Sequence, residues 1–458
     1  MYVEQLYTNC LAEAAYYIES NGEAAIIDPI RETEPYLELA AKRGATIKYI
    51  FETHFHADFV SGHIDLSKKT GAAIIYGPMA DTKYEVVNAE DGEIFSLGKL
   101  KIKTLHTPGH TPEYSCYLLF DEKGKEHSVF TGDTLFVGDV GRPDLLDGKM
   151  SSEELANMLY DSLNTKIKTL PDEVIVYPGH GAGSSCGKNI GKETFSTIGE
   201  QKKFNYALKA SSREQFIKEV TDDILPPPHY FFEDARINKD GYDSFEEVMR
   251  KSNRSLSSKQ FEEAINKGAL ILDTREADDF EKGFIPGSMN IGLNGQYAIW
   301  VGTLVNIQQP LVLVAEHGTE YESILRLARV GYENVLGYLA EGIDGWKKEL
   351  EFIKSIQPSD MKQEIKKGAE VIDVRKPSEW NISHVKNASF LPLSGMPGNL
   401  DTKDKTKPYL IHCGGGYRSM TAISLMKRLG FKNLTNIYGG FGAILNAGIE
   451  VVTEEVTA

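Results

Sequence analysis

Histidine and aspartate side chains, which bind metal ions in many proteins, recur after short apolar runs in the first 180 residues. Four such runs predict strands, and a possible metal ligand follows each of them. The four motifs are Thr53-His54-Phe55-His56-Ala57-Asp58, Pro108-Gly109-His110-Thr111, Thr131-Gly132-Asp133-Thr134 and Tyr177-Pro178-Gly179-His180. Strands that end at one edge of a sheet bring their last residues together, so the motifs jointly predict one metal site.

Taken together, the four motifs resemble those of the metallo-β-lactamase superfamily. The resemblance implies an αββα sandwich over roughly residues 1–200. The first motif of that superfamily normally reads His-x-His-x-Asp-His, whereas Phe59 stands at the last position here. Phenylalanine cannot bind a metal ion, so the second metal position is incomplete. A single ion with open positions is typical of non-haem Fe(II) oxygenases, and this favours oxygen chemistry over dinuclear zinc hydrolysis.

Persulfide dioxygenases are the members of the superfamily that the chain resembles most. Their ligand pattern, carried over position by position, implies that one Fe(II) per chain is bound by His54, His110 and Asp133. The same resemblance implies that three further residues surround the ion and orient its ligands without binding it, namely His56, Asp58 and His180.

Two more residues of this region are candidates for the site. The resemblance places Arg142 near the substrate, where its guanidinium would bind an anionic group, and the alternative is an ion pair at the surface. Cys186 follows His180 on a loop of small residues. Its thiol is a candidate for relaying sulfur, although many free cysteines act only as small buried hydrophobic residues.

A second chemical motif lies near the C-terminus, where Cys413-Gly414-Gly415-Gly416-Tyr417-Arg418 follows an apolar strand and opens a helix. The glycine N–H groups, the helix dipole and Arg418 are all expected to stabilise a thiolate or a persulfide at Cys413. Together with Asp373-Val374-Arg375, Glu379-Trp380 and His384, the loop resembles a rhodanese domain. The resemblance makes Cys413 the nucleophile and the rest of the loop, through Arg418, the substrate-binding residues.

The last 200 residues contain a repeat. Leu272-Asp273-Thr274-Arg275 recurs as Ile372-Asp373-Val374-Arg375, and Gly331-Tyr332-Glu333-Asn334-Val335 recurs as Gly430-Phe431-Lys432-Asn433-Leu434. Strands alternate with helices in both copies, which predicts parallel sheets. The middle copy reads Glu316-His317-Gly318-Thr319-Glu320 at the equivalent loop and has no cysteine. We therefore expect it to be a scaffold or docking domain, and ligand sensing is left open.

The predicted fold is a multidomain α/β protein, in which the αββα sandwich is followed by two rhodanese-like domains. We expect residues 1–252 to form the first domain with a C-terminal arm, 253–355 the inactive copy and 356–458 the active copy. The three consecutive prolines at 226–228 and the polar stretch 231–257, which has no sustained period, predict a tether or arm.

Composition narrows the possible partners. The net charge of −16 over 458 residues disfavours nucleic acid and membrane surfaces as partners. No apolar run approaches the length of a membrane span, and the N-terminus does not read as a signal peptide, so we expect a cytoplasmic protein. The four scattered cysteines do not suggest a disulfide framework. We also expect a homo-oligomer.

The order of domains is similar to that of the multidomain persulfide dioxygenase–sulfurtransferases that detoxify sulfide in Gram-positive bacteria. This resemblance implies oxidation of small-molecule thiol persulfides with O₂ to sulfite and thiol, followed by sulfur transfer from Cys413 to give thiosulfate. One alternative is a zinc-dependent thioester hydrolase of the glyoxalase II kind with accessory rhodanese domains. The other is an adaptor that senses sulfide or carries sulfur without catalysing a reaction.

Overall fold

The computed structural model describes residues 1–145, 150–222, 224 and 226–453. The chain divides into two compact units. The first comprises Met1–Val248 together with Ala328–Gly331, and the second comprises Met249–Leu327 and the residues from Tyr332 onward. The last residues of the predicted third domain, 454–458, lie outside the described residues.

The first unit is built on two mixed sheets of six strands each. In spatial order, the first sheet contains Tyr2–Thr8, Glu13–Ser20, Glu23–Ile27, Thr46–Phe51, Ala73–Tyr76 and Val87–Asn88. The second contains Ser196–Thr197, Ile175–Pro178, Glu126–Gly132, Ser115–Phe120, Leu100–His106 and Ile94–Leu97. Aromatic residues from both sheets, such as Phe51 and Tyr117, form one buried cluster, so the sheets pack face to face.

Helices cover the outer faces of the two sheets. Those described in the first unit are Glu34–Arg43, His63–Thr70, Ser152–Ser162, Ile198–Phe204, Tyr206–Lys209, Arg213–Thr221 and Tyr230–Asp240, and Phe245–Ser252 follows them. Helix Ser152–Ser162 begins at a capping box between Ser151 and Glu154 and buries Leu155 and Leu159. The layers therefore form the αββα sandwich that the sequence predicts.

The second unit contains two five-stranded sheets, in which all the pairings are parallel. One sheet has the order Ser255–Leu256, Val335–Leu339, Leu311–Val314, Leu270–Asp273 and Met289–Asn290. The other has the order Lys354–Ile356, Asn433–Ile437, Pro408–His412, Glu370–Asp373 and Ser389–Phe390. A separate pair joins Ser383–Val385 to Val451–Thr453. The parallel sheets confirm the sequence prediction for this half.

The helices between these strands also repeat. They are Ser258–Asn266, Ala277–Phe280, Tyr297–Leu304, Glu320–Ala328, Met361–Lys366, Pro377–Ile382, Met396–Asn399, Tyr417–Arg428 and Gly440–Asn446. In the middle copy the guanidinium of Arg275 binds Asp273 and the carbonyl of Gly283. In the last copy Arg375 binds Asp373 and the carbonyl of Ser383 in the same way. The sequence repeat is thus also a repeat of buried ion pairs.

The stretch 231–257, which we expected to be a tether or arm, is largely helical. Most of this stretch lies in the helices Tyr230–Asp240 and Phe245–Ser252. The buried amide of Asn238 donates hydrogen bonds to the carbonyls of His56 and Phe59, both at 2.8 Å, and accepts one from the N–H of Ser61 at 2.9 Å. These contacts are distant in sequence, so local periodicity did not reveal them.

Among the described residues, no helix is both long and apolar enough to cross a membrane.

We predict that Asn238→Ala lowers the free energy of unfolding by about 2–4 kcal/mol, because the two carbonyls and the N–H lose a buried partner. Urea denaturation of the full chain measures this change. Asn189→Ala, at an exposed loop position of the same unit, is the matched control and should change stability by less than about 0.5 kcal/mol. Equal stability of the two variants would contradict a structural role for the Asn238 amide.

Candidate functional site

Three of the predicted ligands meet where strands of the sandwich end. His54 follows strand Thr46–Phe51, His110 follows Leu100–His106, and Asp133 follows Glu126–Gly132 directly. One ligand atom from each of the three residues lies within 4.8 Å of the others, and all three side chains are buried. His110 Nε2 is 3.5 Å from Asp133 Oδ2. The structure therefore brings the predicted triad together.

Neighbouring groups fix the orientation of both imidazoles. His54 Nδ1 lies 3.0 Å from the hydroxyl of Thr53, and its ring stacks on Tyr114 at a centroid distance of 4.7 Å. His110 Nδ1 lies 2.9 Å from the carbonyl of Arg142. A ring whose Nδ1–H donates to a carbonyl leaves Nε2 unprotonated for a metal ion. Burial lowers the pKa of both His54 and His110, which favours their neutral forms.

The donor set fits a metal ion. His110 Nε2 and both carboxylate oxygens of Asp133 are buried, and none of them has a hydrogen-bond partner among the described residues. Buried polar atoms of this kind are usually paired, and a bound cation is one way to satisfy them. Two imidazoles and one carboxylate leave coordination positions open for other ligands.

A glycine positions Asp133. Gly132 has a positive φ of 47°, and a Cβ at this residue would lie 1.9 Å from the Tyr114 hydroxyl oxygen. The same hydroxyl accepts a hydrogen bond from the N–H of Asp133. Only glycine fits this close approach. The glycine of the Thr131-Gly132-Asp133 motif is therefore required by the backbone, and the aspartate is the possible metal ligand.

A second group lies beside the triad. Ligand atoms of Asp58, His180 and Cys186 are within 4.8 Å of one another, and all three residues are buried. His180 Nε2 is 3.4 Å from Asp58 Oδ2 and 3.5 Å from Asp133 Oδ1, so Asp133 faces both groups. Burial raises the pKa of the Cys186 thiol, and the charges of Asp58 and Asp133 add to this. A protonated thiol is a weak nucleophile, so the relay role of Cys186 stays a prediction.

His56 and Phe59 lie on the side of the site formed by the first sheet. The His56 Nε2 atom is 3.1 Å from Asp28 Oδ1, in the manner of a ligand-orienting or structural histidine. The Phe59 ring is buried and lies 4.3 Å from the His56 ring, centroid to centroid. An apolar ring thus stands where the resemblance leads one to expect a histidine.

Sequence reasoning missed a set of buried acids behind the first motif. Asp28 accepts hydrogen bonds from the N–H of Thr53 at 2.7 Å and from its hydroxyl at 2.9 Å, which anchors the residue before His54. Burial and the charge of Asp28 raise the pKa of Glu52, and burial also raises that of Glu13. Asp28 follows a strand in Ile27-Asp28-Pro29, so its position at a strand end was a usable signal.

Arg142 forms interactions with its own loop. Its Nε and Nη2 atoms donate to the two carboxylate oxygens of Asp144 at 2.6 and 2.7 Å, and Nη1 donates to the carbonyl of Ser185 at 3.2 Å. Its backbone carbonyl is the partner of His110 Nδ1. The side chain is therefore held by a partly buried ion pair, and its assignment to substrate binding stays a prediction.

In the second unit, Cys413 lies in the loop between strand Pro408–His412 and helix Tyr417–Arg428. Its side chain is buried, and the N–H of Gly416 donates to the sulfur at 3.1 Å. Arg418 forms two hydrogen bonds with the carboxylate of Glu379, at 2.5 and 2.9 Å. The loop thus places at least one backbone donor on the sulfur, and part of the charge of Arg418 is balanced by Glu379.

The middle copy has Ala315 in place of this cysteine. The equivalent aspartates Asp273 and Asp373 pair with the last residues of the neighbouring strands, Val314 and His412. The next residue is Ala315 in the middle copy and Cys413 in the last copy. Ala315 is buried, as Cys413 is. The structure therefore agrees with the inference that the middle copy carries no sulfur nucleophile.

Comparisons with known protein families agree with this architecture. The chain matches the Metallo-beta-lactamase superfamily over residues 8–180 and the Rhodanese-like domain over residues 257–349 and 357–447. These matches confirm the sandwich resemblance and the tandem repeat.

Individual relatives fall into two functional groups. The chain is 32% identical over 209 residues to the mitochondrial persulfide dioxygenase ETHE1 of Homo sapiens. The matched region covers 45% of this chain and 74% of the human protein. It is 34% identical over 176 residues to the cytoplasmic hydroxyacylglutathione hydrolase of Arabidopsis thaliana, covering 37% and 65% respectively. A crystal structure of a metallo-beta-lactamase from Staphylococcus aureus subsp. aureus COL is similar with 33% identity and a TM-score of 0.66, covering 74% of this chain and 98% of that one.

We predict that Phe59→His raises the metal content from about one towards about two ions per chain when the protein is prepared with zinc, because it restores a nitrogen ligand beside Asp58 and His180. Elemental analysis of the purified variant measures the change. Phe59→Leu, which keeps an apolar side chain, is the control. Two ions in the wild-type protein would contradict the premise that Phe59 limits the site to one.

Proposed function

Given that this chain belongs to the metallo-beta-lactamase superfamily and carries two rhodanese-like domains behind the superfamily domain, we propose that it is a persulfide dioxygenase coupled to a sulfurtransferase. It oxidises a low-molecular-weight thiol persulfide with O₂ and water to thiol, sulfite and two protons. The rhodanese site then converts sulfite to thiosulfate, and the combined reactions serve sulfide detoxification. The domains span residues 1–252, 253–355 and 356–458.

One observation carries the dioxygenase proposal. His54, His110 and Asp133 form a buried group of two imidazoles and one carboxylate, and the buried Phe59 ring packs on the neighbouring His56 where the resemblance would have a further ligand. These three residues would hold one Fe(II), which supplies O₂ activation when bound. The Arg142 carbonyl and the Thr53 hydroxyl hold the rings, and Gly132 allows Asp133 to approach. The similarity to a persulfide dioxygenase supports the same assignment.

The sulfur-transfer reaction uses Cys413. A Cys413 thiolate attacks the outer sulfur of a persulfide R–S–SH, so that a Cys413–sulfur bond forms, the R–S bond breaks and R–S⁻ leaves. Sulfite then attacks the outer sulfur of the Cys413 persulfide, and thiosulfate leaves with regeneration of the thiolate. Neither step needs an external oxidant. The Gly416 N–H lies where it can stabilise the sulfur in its anionic form.

A second candidate function is zinc-dependent thioester hydrolysis. It is favoured by the group of Asp58, His180 and Cys186 beside the triad, which offers ligands for another ion, and by the similarity to hydroxyacylglutathione hydrolases. In that case two zinc ions would bind and activate water between them. Metal content separates the candidates, since one iron supports the dioxygenase, two zinc ions support the hydrolase, and no metal supports an adaptor.

We predict that His54→Ala, His110→Ala and Asp133→Ala each abolish iron retention and lower persulfide-dependent O₂ uptake by more than about 100-fold, because the open site has no replacement ligand. Iron analysis and an oxygen electrode measure both effects on the same preparation. His127→Ala is the matched control, since that histidine lies on strand Glu126–Gly132 and outside the metal-binding groups. Wild-type O₂ uptake per chain in an iron-free triad variant would exclude the assignment.

We predict that Cys413→Ser consumes O₂ at the wild-type rate but releases sulfite in place of thiosulfate, because the iron ligands lie elsewhere and only the sulfur nucleophile is lost. Arg418→Ala should give an intermediate ratio of sulfite to thiosulfate. Cys10→Ser, which changes a cysteine outside both sites, should leave the ratio unchanged. Chromatographic separation of the two anions at matched O₂ uptake gives the ratio. An unchanged ratio in Cys413→Ser would mean that the two activities are not coupled.

A further inference from the structure

The cavity beside Cys413 is lined by both rhodanese-like copies. Its volume is about 520 Å³. The last copy contributes Lys376, Glu379, Cys413, Gly415, Tyr417 and Arg418, and the middle copy contributes Gly295, Gln296 and Trp300. Both copies lie in the same compact unit. The copy without a cysteine therefore forms one wall of its partner's cavity.

Close contacts hold this wall against the cysteine loop. The hydroxyl of Tyr417 donates a hydrogen bond to the carbonyl of Gly292 at 2.8 Å. A Cβ at Gly295 would lie 2.4 Å from the Tyr417 ring, so the two copies approach each other through a glycine. Tyr417 directly follows Gly416, whose N–H donates to the sulfur of Cys413. The wall and the nucleophile are thus linked through adjacent residues of one loop.

Other contacts also join the two copies. The N–H of Asn290 donates to the hydroxyl of Ser424 at 3.0 Å, and Lys427 forms an ion pair with Glu351. Asn290 and Ser424 are fully buried. A wall held by buried hydrogen bonds keeps a defined distance from Cys413, as a binding site for a small molecule requires.

The cavity is larger than the inorganic substrates of the loop need. At roughly 30 Å³ per heavy atom, sulfite or thiosulfate would fill about a quarter of it. The volume lies instead within the range of pockets that bind organic molecules. Trp300 is one of the lining residues, although only 7% of its surface is exposed. Gln296 is exposed, so its amide can both donate and accept hydrogen bonds, and Lys376 is an exposed cation of the lining.

We propose that the middle copy supplies the binding wall for the organic part of the sulfur donor or acceptor at Cys413, an anionic low-molecular-weight thiol that contains amide groups. The thiol packs against Trp300, its amides bind Gln296, and its carboxylate or phosphate groups lie near Lys376. This inference rests on the proposed sulfurtransferase function of Cys413 and adds the class of its organic substrate. It also gives the inactive copy a role in substrate selection.

The test compares an organic and an inorganic sulfur acceptor in the full-length protein. Thiosulfate is the donor in both assays, and the acceptor is either cyanide or one of two amide-containing thiols, glutathione and coenzyme A. Gln296→Ala and Trp300→Phe should raise the KM for at least one thiol by about three- to tenfold. The kcat with that thiol and the kcat/KM with cyanide should change by less than about twofold. Gln308→Ala, at an exposed position of the middle copy outside the cavity, is the matched control and should change neither.

The possible outcomes separate this inference from the function on which it rests. Wild-type protein that transfers no sulfur from thiosulfate to cyanide would contradict the proposed sulfurtransferase itself. Activity with cyanide but with neither thiol would overturn the substrate class. Thiol KM values that stay unchanged in both variants, or that change together with the cyanide reaction, would overturn the role of the middle copy. Gln296 is exposed, so its alanine variant is expected to fold even if Trp300→Phe is destabilised.

Discussion

The buried carboxylate of Asp133 is the group on which the first unit depends. Its two oxygens face His110 Nε2 and His180 Nε2, each at 3.5 Å, and neither oxygen accepts a hydrogen bond of normal geometry from the described residues. An uncompensated charge at such a depth costs about 3–5 kcal/mol. A cation held by Asp133 and the two triad histidines would remove that cost, and metal binding would then be thermodynamically linked to folding of the sandwich. The positive φ of Gly132 and the hydrogen bond from the Asp133 N–H to the Tyr114 hydroxyl fix the backbone that positions this carboxylate.

The parts of the site that local sequence encodes were predictable. Apolar runs before the ligand motifs predicted the strand ends, and the structure has strands Leu100–His106 and Ile175–Pro178 shortly before His110 and His180. Because His110 and His180 follow these strands, we expected both histidines to lie at the same edge of the sheet. The parallel sheets of the second half followed from the same alternation of strands and helices.

The parts that depend on contacts distant in sequence were not predictable. Asn238 binds the backbone around Phe59 from 179 residues away, and its helix lies in a polar stretch whose pattern shows no clear period. The Tyr417 hydroxyl reaches Gly292 across 125 residues, so the wall formed by the middle copy has no local signature either. The sequence shows that the middle copy lacks a cysteine, and this predicted an inactive domain. The sequence does not show that the same copy lines the cavity beside Cys413. The two copies share the ion pairs of Arg275 and Arg375 but differ after the equivalent strand, where one has Ala315 and the other Cys413.

The hydrogen bonds from Asn238 also bear on how the protein is made. A ribosome adds residues in order, and domains usually fold as their last segments emerge. The loop that carries His54 and His56 is synthesised early. The carbonyls of His56 and Phe59 can accept hydrogen bonds from the Asn238 amide only after residue 238 has left the exit tunnel. During that interval the nascent metal motif is unsupported on one side. Assembly of the proposed metal site would therefore depend on a helix that contributes none of its ligands. A chain cut after the sandwich strands would retain His54, His110 and Asp133 but lack the Asn238 hydrogen bonds to the loop that follows His54.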